Sequence, residues 1–268
     1  MSSEHLHIEL ENIHVHIPEE RTGMQRLLLR GPEYGQHVLR GVDLEIEAVP
    51  GTYTAIEGPS GSGKTTLLTT ILGGLPGNQD RPTEGRVLWD GFDIYDMKPV
   101  ERSEALRRVG FIPQTFLPMR GLTIAERVTL PYRLESRYER RAANKTTNKK
   151  VADVLDEVGL EKLPTSSNAN LSNGEMRRMA FASALLGSEV EMLLADEPTA
   201  GLNGSSKDGI NNLMSRLNDE GMPMVFITHE QHQAKTTVDI QDGRVVGRHD
   251  TPVRGKYSDS AEDSGVAS

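Results

Sequence analysis

The run Gly58-Pro59-Ser60-Gly61-Ser62-Gly63-Lys64-Thr65-Thr66 fits the pattern G-x-x-x-x-G-K-[ST] at Gly58, Gly63, Lys64 and Thr65. Residues of these types at this spacing are suited to holding a nucleoside triphosphate. Glycines let the backbone bend until successive N–H groups face the phosphates, and a helix starting beside them adds the partial positive charge of its N-terminus. Lys64 supplies the formal charge and Thr65 a hydroxyl for magnesium. A second constellation stands at the end of the apolar run Val190-Glu191-Met192-Leu193-Leu194-Ala195, where Asp196 and Glu197 follow one another. A carboxylate in that place holds magnesium, and the next orients and deprotonates an attacking water. Three further polar signals lie at suitable intervals: Gln114, Leu171-Ser172-Asn173-Gly174-Glu175 and Thr228-His229-Glu230.

These side chains need a scaffold, and the apolar pattern predicts one. Thr52-Tyr53-Thr54-Ala55-Ile56 reads as a buried strand and Thr65 to Leu72 as the helix after it, the order that a phosphate loop requires. Glycine and proline at Gly73-Gly74-Leu75-Pro76-Gly77 stop that helix. Val109 to Ile112 reads as a strand leading to Gln114, and residues 190–197 and 222–227 as central strands. Residues 6–17 and 38–47 alternate apolar and polar, the period of half-buried strands. Residues 18–36 read as a loop interrupted by Leu27-Leu28-Leu29, and roughly residues 115–180 as mostly helical, with one apolar face on Val151, Val154, Leu155 and Val158. His5, His7, His14 and His16 fall on alternate positions and are expected to be a solvent face rather than a metal set. The basic stretch from Arg140 to Lys150 is expected to be solvated, and the single tryptophan, Trp89, to pack in the interior.

At 268 residues the chain is long enough for one elaborated domain with a full core. A net charge of −9 argues against nucleic acid or anionic membrane as a direct electrostatic partner, since either would favour a basic surface, and no nucleic-acid partner is expected. With no cysteine there is no disulfide framework and no thiolate nucleophile or metal ligand. The N-terminus lacks the basic and apolar regions of a signal peptide, and nowhere do about eighteen apolar residues run together. A soluble protein is expected, with no direct membrane insertion and any membrane role coming through a partner.

Over roughly residues 8–247 the ordered set of motifs resembles the nucleotide-binding subunit of an ATP-binding cassette (ABC) transporter. The resemblance implies an α/β fold, a P-loop NTPase of ABC type. Its parts are a mixed-sheet nucleotide-binding core, an antiparallel β-subdomain and an inserted α-helical subdomain at roughly 115–180. It implies one ATP-binding domain over 1–251 and, with the polar residues from 252, a disordered tail over 252–268. By resemblance, ATP is bound by residues 58–66 and by Ser172 and Gly174 of the signature, while Thr65, Gln114 and Asp196 hold Mg2+. Glu197 is the general base, His229 the switch histidine, and Lys64 and Gln114 complete the catalytic set. The segments Leu72-Gly73-Gly74-Leu75, Arg81-Pro82-Thr83-Glu84-Gly85 and Leu117-Pro118, with Leu122 to Val128 and Leu130-Pro131, are similar to the branch serving lipoprotein release and macrolide export. Members of that branch pair with a separate integral-membrane permease, which implies a cytoplasmic subunit peripheral on the inner face of the cell membrane.

Two positions depart from the family pattern. Asn173 stands where the signature has its first glycine, with Glu175 in place of glutamine, and Asn203 stands where aspartate is usual. Asparagine tolerates a left-handed backbone, so the signature loop is expected to form. In the family two subunits pair head to tail, so both departures face the partner's ATP. Either a slow homodimer or an unequal heterodimer with weak hydrolysis at one site follows. The adenine platform is Tyr34, with Ile17 at that position in an alternative alignment and a plain loop role for Tyr34 also open. Two other functions fit the motifs: a soluble ABC ATPase outside transport, and a nucleotide-dependent scaffold.

Overall fold

The computed structural model describes residues 5–18, 34–75, 80–115, 143–160, 171–187, 189–230 and 232–250. Most of the expected loop over 18–36, much of the expected helical region and the tail over 252–268 lie outside the described residues.

The alternating N-terminal segment forms β1 (His7–Pro18). It pairs antiparallel with β2 (Tyr34–Glu47) on one edge and β4 (Glu84–Trp89) on the other, and β5 (Phe92–Asp93) completes a sheet of order β2-β1-β4-β5. The apolar residues of β1, with Leu6 just before it, change parity, from Leu6, Ile8 and Leu10 to Ile13 and Val15, yet all five are buried. Because strand side chains alternate with a period of two, a parity change alone would turn the second set to solvent. The register slips between Leu10 and Ile13, and Asn12 takes a left-handed φ of 47°. That bulge returns both sets to one core.

The second sheet is mixed. β3 (Tyr53–Glu57), β6 (Val109–Ile112), β7 (Met192–Asp196) and β8 (Met224–Ile227) run parallel, β9 (Thr236–Gln241) is parallel to β3, and β10 (Arg244–Asp250) is antiparallel to β9. The order is β10-β9-β3-β8-β7-β6. β8 is apolar throughout and β7 is apolar up to Asp196, because both faces of these strands are covered. One face packs with the antiparallel sheet and α1 (Lys64–Ile71) around Leu67, Leu68, Ile71, Trp89 and Leu194. Trp89 is buried and its Nε1 donates to the Ile71 carbonyl at 3.1 Å, a packing role. The charged helix α2 (Pro99–Leu106) lies at the margin of this layer.

The opposite face carries α3 (Ala143–Glu157), α4 (Asn173–Leu185) and α5 (Gly204–Asp219) over Met179, Phe181, Leu193, Ile210 and Phe226. A Cβ at Gly110 of β6 would lie 2.6 Å from the Ala184 carbonyl oxygen, so α4 rests directly on the strand that leads to Gln114. Arg108 ties the two sheets together: its Nε donates to Glu191 at 2.5 Å and its Nη1 to Asp90. Those carboxylates in turn accept the backbone N–H groups of Leu6 and His7 at 3.0 and 2.9 Å.

Candidate active site

The phosphate loop joins β3 to α1, and its glycines answer to close packing. Gly58 has φ 148°, and a Cβ there would sit 2.0 Å from the Ile240 carbonyl oxygen. Gly63, at the N-cap of α1 with φ 100°, would place one 3.0 Å from the Val38 carbonyl oxygen. The backbones of β9 and β2 therefore press on the loop and exclude side chains. Lys64 is 6 % exposed, and its Nζ donates to the carbonyls of Gly58 and Pro59, both at 2.9 Å. Burial pulls its pKa down, and the nearby Glu197 and Asp196 oppose that fall. The buried Ser62 hydroxyl has no hydrogen-bond partner among the described residues. A buried ammonium, an orphaned hydroxyl and a helix N-terminus in one cradle fit a phosphate.

Thr65, the second residue of α1, donates its hydroxyl to Asp196 Oδ1 at 3.3 Å. A hydroxyl and a carboxylate beside a phosphate cradle are the oxygen donors that magnesium takes. Asp196 closes β7 and is 3 % exposed. Its pKa is raised, first by burial, then by the charge of Glu197, while the Thr65 hydroxyl and the Lys64 and Arg177 charges work the other way. A carboxyl whose folded pKa exceeds its unfolded value destabilises the fold as pH climbs through the ordinary aspartate range, near roughly pH 4. Asp196→Asn is therefore expected to melt higher than the wild type at neutral pH, with the gap closing under acid, where the wild-type carboxyl takes up its proton. Thermal melts from pH 4 to 8 check this. A variant melting lower at neutral pH would refute the burial argument.

Glu197 follows immediately, with a left-handed φ of 46°. Such a backbone costs about 1–2 kcal/mol in a residue other than glycine. It turns the chain at the end of β7, and the carboxylate meets two groups carried by the neighbouring strands of the same sheet. Gln114, just past β6, donates Nε2 to Glu197 Oε2 at 2.8 Å. His229, just past β8, places Nε2 at 2.9 Å from Glu197 Oε1. Lys64, Thr65, Asp196, Glu197, Gln114 and His229 thus gather at the C-terminal ends of parallel strands, where open α/β sheets bind ligands. The Gln114 amide lies on Glu197, and no hydrogen bond links it to Thr65 or Asp196 among the described residues. A carboxylate with both oxygens held, beside a phosphate cradle, can fix and deprotonate a water.

The signature corrects an expectation. Asn173 is the first residue of α4 and helical, not left-handed. Ser172 is the N-cap: its Oγ accepts from the Glu175 N–H at 3.2 Å, and the Glu175 carboxylate accepts from the Ser172 N–H at 2.8 Å. Glu175 therefore closes a reciprocal cap, and asparagine meets no backbone conflict there. Asn203 caps α5 one way only, its side chain accepting from the Ser206 N–H at 3.4 Å. A Cβ at Gly174 would meet Ser206 Oγ at 3.1 Å, so the two helix starts lie side by side, with Asn173 and Asn203 exposed. No hydrogen bond joins Ser172 or Gly174 to Lys64, Asp196 or Glu197 among the described residues. Tyr34 opens β2 opposite Pro18, and its side chain lies outside what is described. Ile17 stands half-buried at the same end of the hairpin.

Sequence reasoning missed Arg177. It is 7 % exposed on α4 and donates Nη1 to the Pro113 carbonyl and Nη2 to the Gln114 carbonyl, both at 2.8 Å. Burial lowers its pKa, countered by the charges of Asp196 and Glu197. Its spacing from Gly174, Ala180 and Phe181, all buried, was the legible signal of an inward-facing arginine.

The family described as ABC transporter matches residues 39–200, from β2 through the turn after Glu197. The chain belongs to that family. It is 38 % identical over 215 residues to the lipoprotein-releasing system ATP-binding protein LolD of Syntrophotalea carbinolica, covering 78 % of this chain and 89 % of the relative. It is 36 % identical over the same length to the macrolide export ATP-binding/permease protein MacB of Hyphomonas neptunium, of which it spans 31 %. Among solved structures, a dimeric ATP-binding cassette in a post-hydrolysis state bound to ADP and Pi matches with a TM-score of 0.71 at 29 % identity, covering 92 % of this chain and 99 % of that one. The chain is an ABC-type ATPase cassette of the kind that powers membrane permeases. Among the described residues of the cassette, no helix is long and apolar enough to cross a membrane.

Proposed function

We propose that this cassette is the ATPase subunit of an exporter of the lipoprotein-release or macrolide-export kind, working beneath a separate integral-membrane permease on the inner face of the cell membrane. The observation that carries the reading is the convergence on Glu197 of Gln114 and His229 from the two flanking strands, beside the Thr65–Asp196 pair. In this reading Lys64 and the loop amides bind the phosphates of ATP. Thr65, Asp196 and Gln114 would hold Mg2+, which would supply charge neutralisation at the phosphates. Glu197 takes the proton from the attacking water, while His229 and Gln114 orient its two oxygens and sense the γ-phosphate. Ser172 and Gly174 serve ATP across a dimer of cassettes, and Tyr34 stacks on adenine.

Affinity capture of the subunit from its native membrane in detergent tests this. A stoichiometric permease supports the exporter reading, and a second cassette beside it identifies an unequal pair. Only soluble partners would move the assignment outside transport. Asn173 and Asn203 weaken the shared sites by crowding and by loss of charge, not by backbone strain. Asn173→Gly is accordingly expected to raise turnover of the purified protein by about fivefold, the factor that ~1 kcal/mol makes. No gain in steady-state phosphate release would count against crowding.

A further inference from the structure

His14 and His16 lie two residues apart on β1, and His37 lies opposite His16 on β2. Positions i and i+2 of a strand share a face, and a directly opposed residue on the next strand joins them. The pairing depends on a bulge: the register runs from Val15↔Leu39 to His16↔His37, so Val38 is an extra residue in β2. Val38 and Leu39 are both buried, and the added residue returns His37 to the outer face. There His14 Nδ1 and His37 Nε2 stand 3.1 Å apart. The His37 ring is stacked on His16 with centroids 3.9 Å apart and lies 5.2 Å from His14. Asn12 and Thr83 bond the outer nitrogens of His14 and His16 at 3.2 and 3.1 Å. Arg40 and Glu84 stand opposite His14 on the two flanking strands and offset one another in charge.

Two nitrogens on one tetrahedral zinc, at 2.0–2.1 Å from the ion, are separated by about 3.3 Å. The His14–His37 separation is close to that edge, and rotation of the His16 side chain off its stack offers a third nitrogen. We propose that His14, His16 and His37 form a binding site for a divalent transition-metal cation such as zinc, held by three imidazoles on the outer face of the antiparallel sheet. The ion staples β1 to β2 close to the Pro18–Tyr34 end of the hairpin.

The test is calorimetric titration of the full, tag-free chain with zinc chloride at pH 7.5. One saturable ion per chain is expected, weakened by about tenfold or more in His37→Ala and in the His14→Ala/His16→Ala double variant, since even outer-sphere changes at metal sites cost that much. His7→Ala, which removes the imidazole near Glu45 and Glu47, should leave binding unchanged. Absence of saturable binding, or zinc affinity lost in His7→Ala and kept in His37→Ala, overturns the proposal. X-ray absorption of the zinc-loaded wild type reads the imidazole count without any variant. Three support the site, and fewer refute it.

Discussion

Glu197→Gln is expected to bind ATP as the wild type does and to lose turnover by about a hundred- to ten-thousandfold, the range for removing a positioned acid–base group. Its carboxylate accepts Gln114 on one oxygen and meets His229 on the other. Glutamine has the same shape but one acceptor oxygen and little basicity, so it accepts from only one of those two groups and takes no proton. The fold should be untouched, because Lys64, Thr65 and Asp196 hold the loop independently of Glu197. Fluorescent-nucleotide binding and phosphate release, measured on the same preparation, separate the two effects. A dimer accumulating with ATP on gel filtration would accompany the lost turnover. Hydrolysis near the wild-type rate would remove Glu197 from the role of base and point to a water held by other groups.

Arg177→Met is expected to lower kcat by about a hundredfold, the cost of a small misplacement at a reacting centre, with the ATP KM little changed. Arg177 is a positioning residue: both of its donors end on the carbonyls of Pro113 and Gln114, which aim the Gln114 amide at Glu197. Methionine fills the space but leaves two carbonyls without donors, a loss of about 1–3 kcal/mol each where they stay dry. Stability will therefore fall as well. Arg178 supplies the control, since on the same helix it donates to the Val158 carbonyl at 2.8 Å, away from Gln114. Arg178→Met should lower the melting temperature without the kcat loss. Arg177→Lys, which keeps the charge and one donor direction, should recover part of the rate. Equal kinetic losses in both methionine variants would make Arg177 a structural residue only. Because α4 begins at the Ser172 cap and carries Arg177 to the carbonyls of Pro113 and Gln114, one helix links the 171–175 segment to the Gln114–Glu197 contact.

The phosphate loop was legible because its parts are contiguous. Strand, glycine bend, lysine and helix follow one another, and local backbone chemistry is enough to specify the anion cradle. The reciprocal cap of α4 was equally local: Ser172-x-x-Glu175 is its sequence signature, and reading residues 171–175 as a loop passed over it. The parity change in β1 signalled a bulge, but only the position of Asn12 against Asp43, whose Oδ1 accepts its N–H at 2.8 Å, places it.

The chain's residues by themselves determined the family, the phosphate-loop motif and the polar residues that end its apolar strands, since each is written in a few consecutive positions. Only the tertiary structure decided which of those residues meet. Gln114, Glu197 and His229 are neighbours because β6, β7 and β8 lie side by side in the sheet, an order that long-range burial sets and no local spacing encodes. The Arg177 clamp and the three facing histidines arise in the same way, from a helix pressed on a glycine of β6 and from a bulge that turns one strand residue outward. Hydrogen bonds within a turn act over a few residues, whereas packing of distant segments fixes where their ends point.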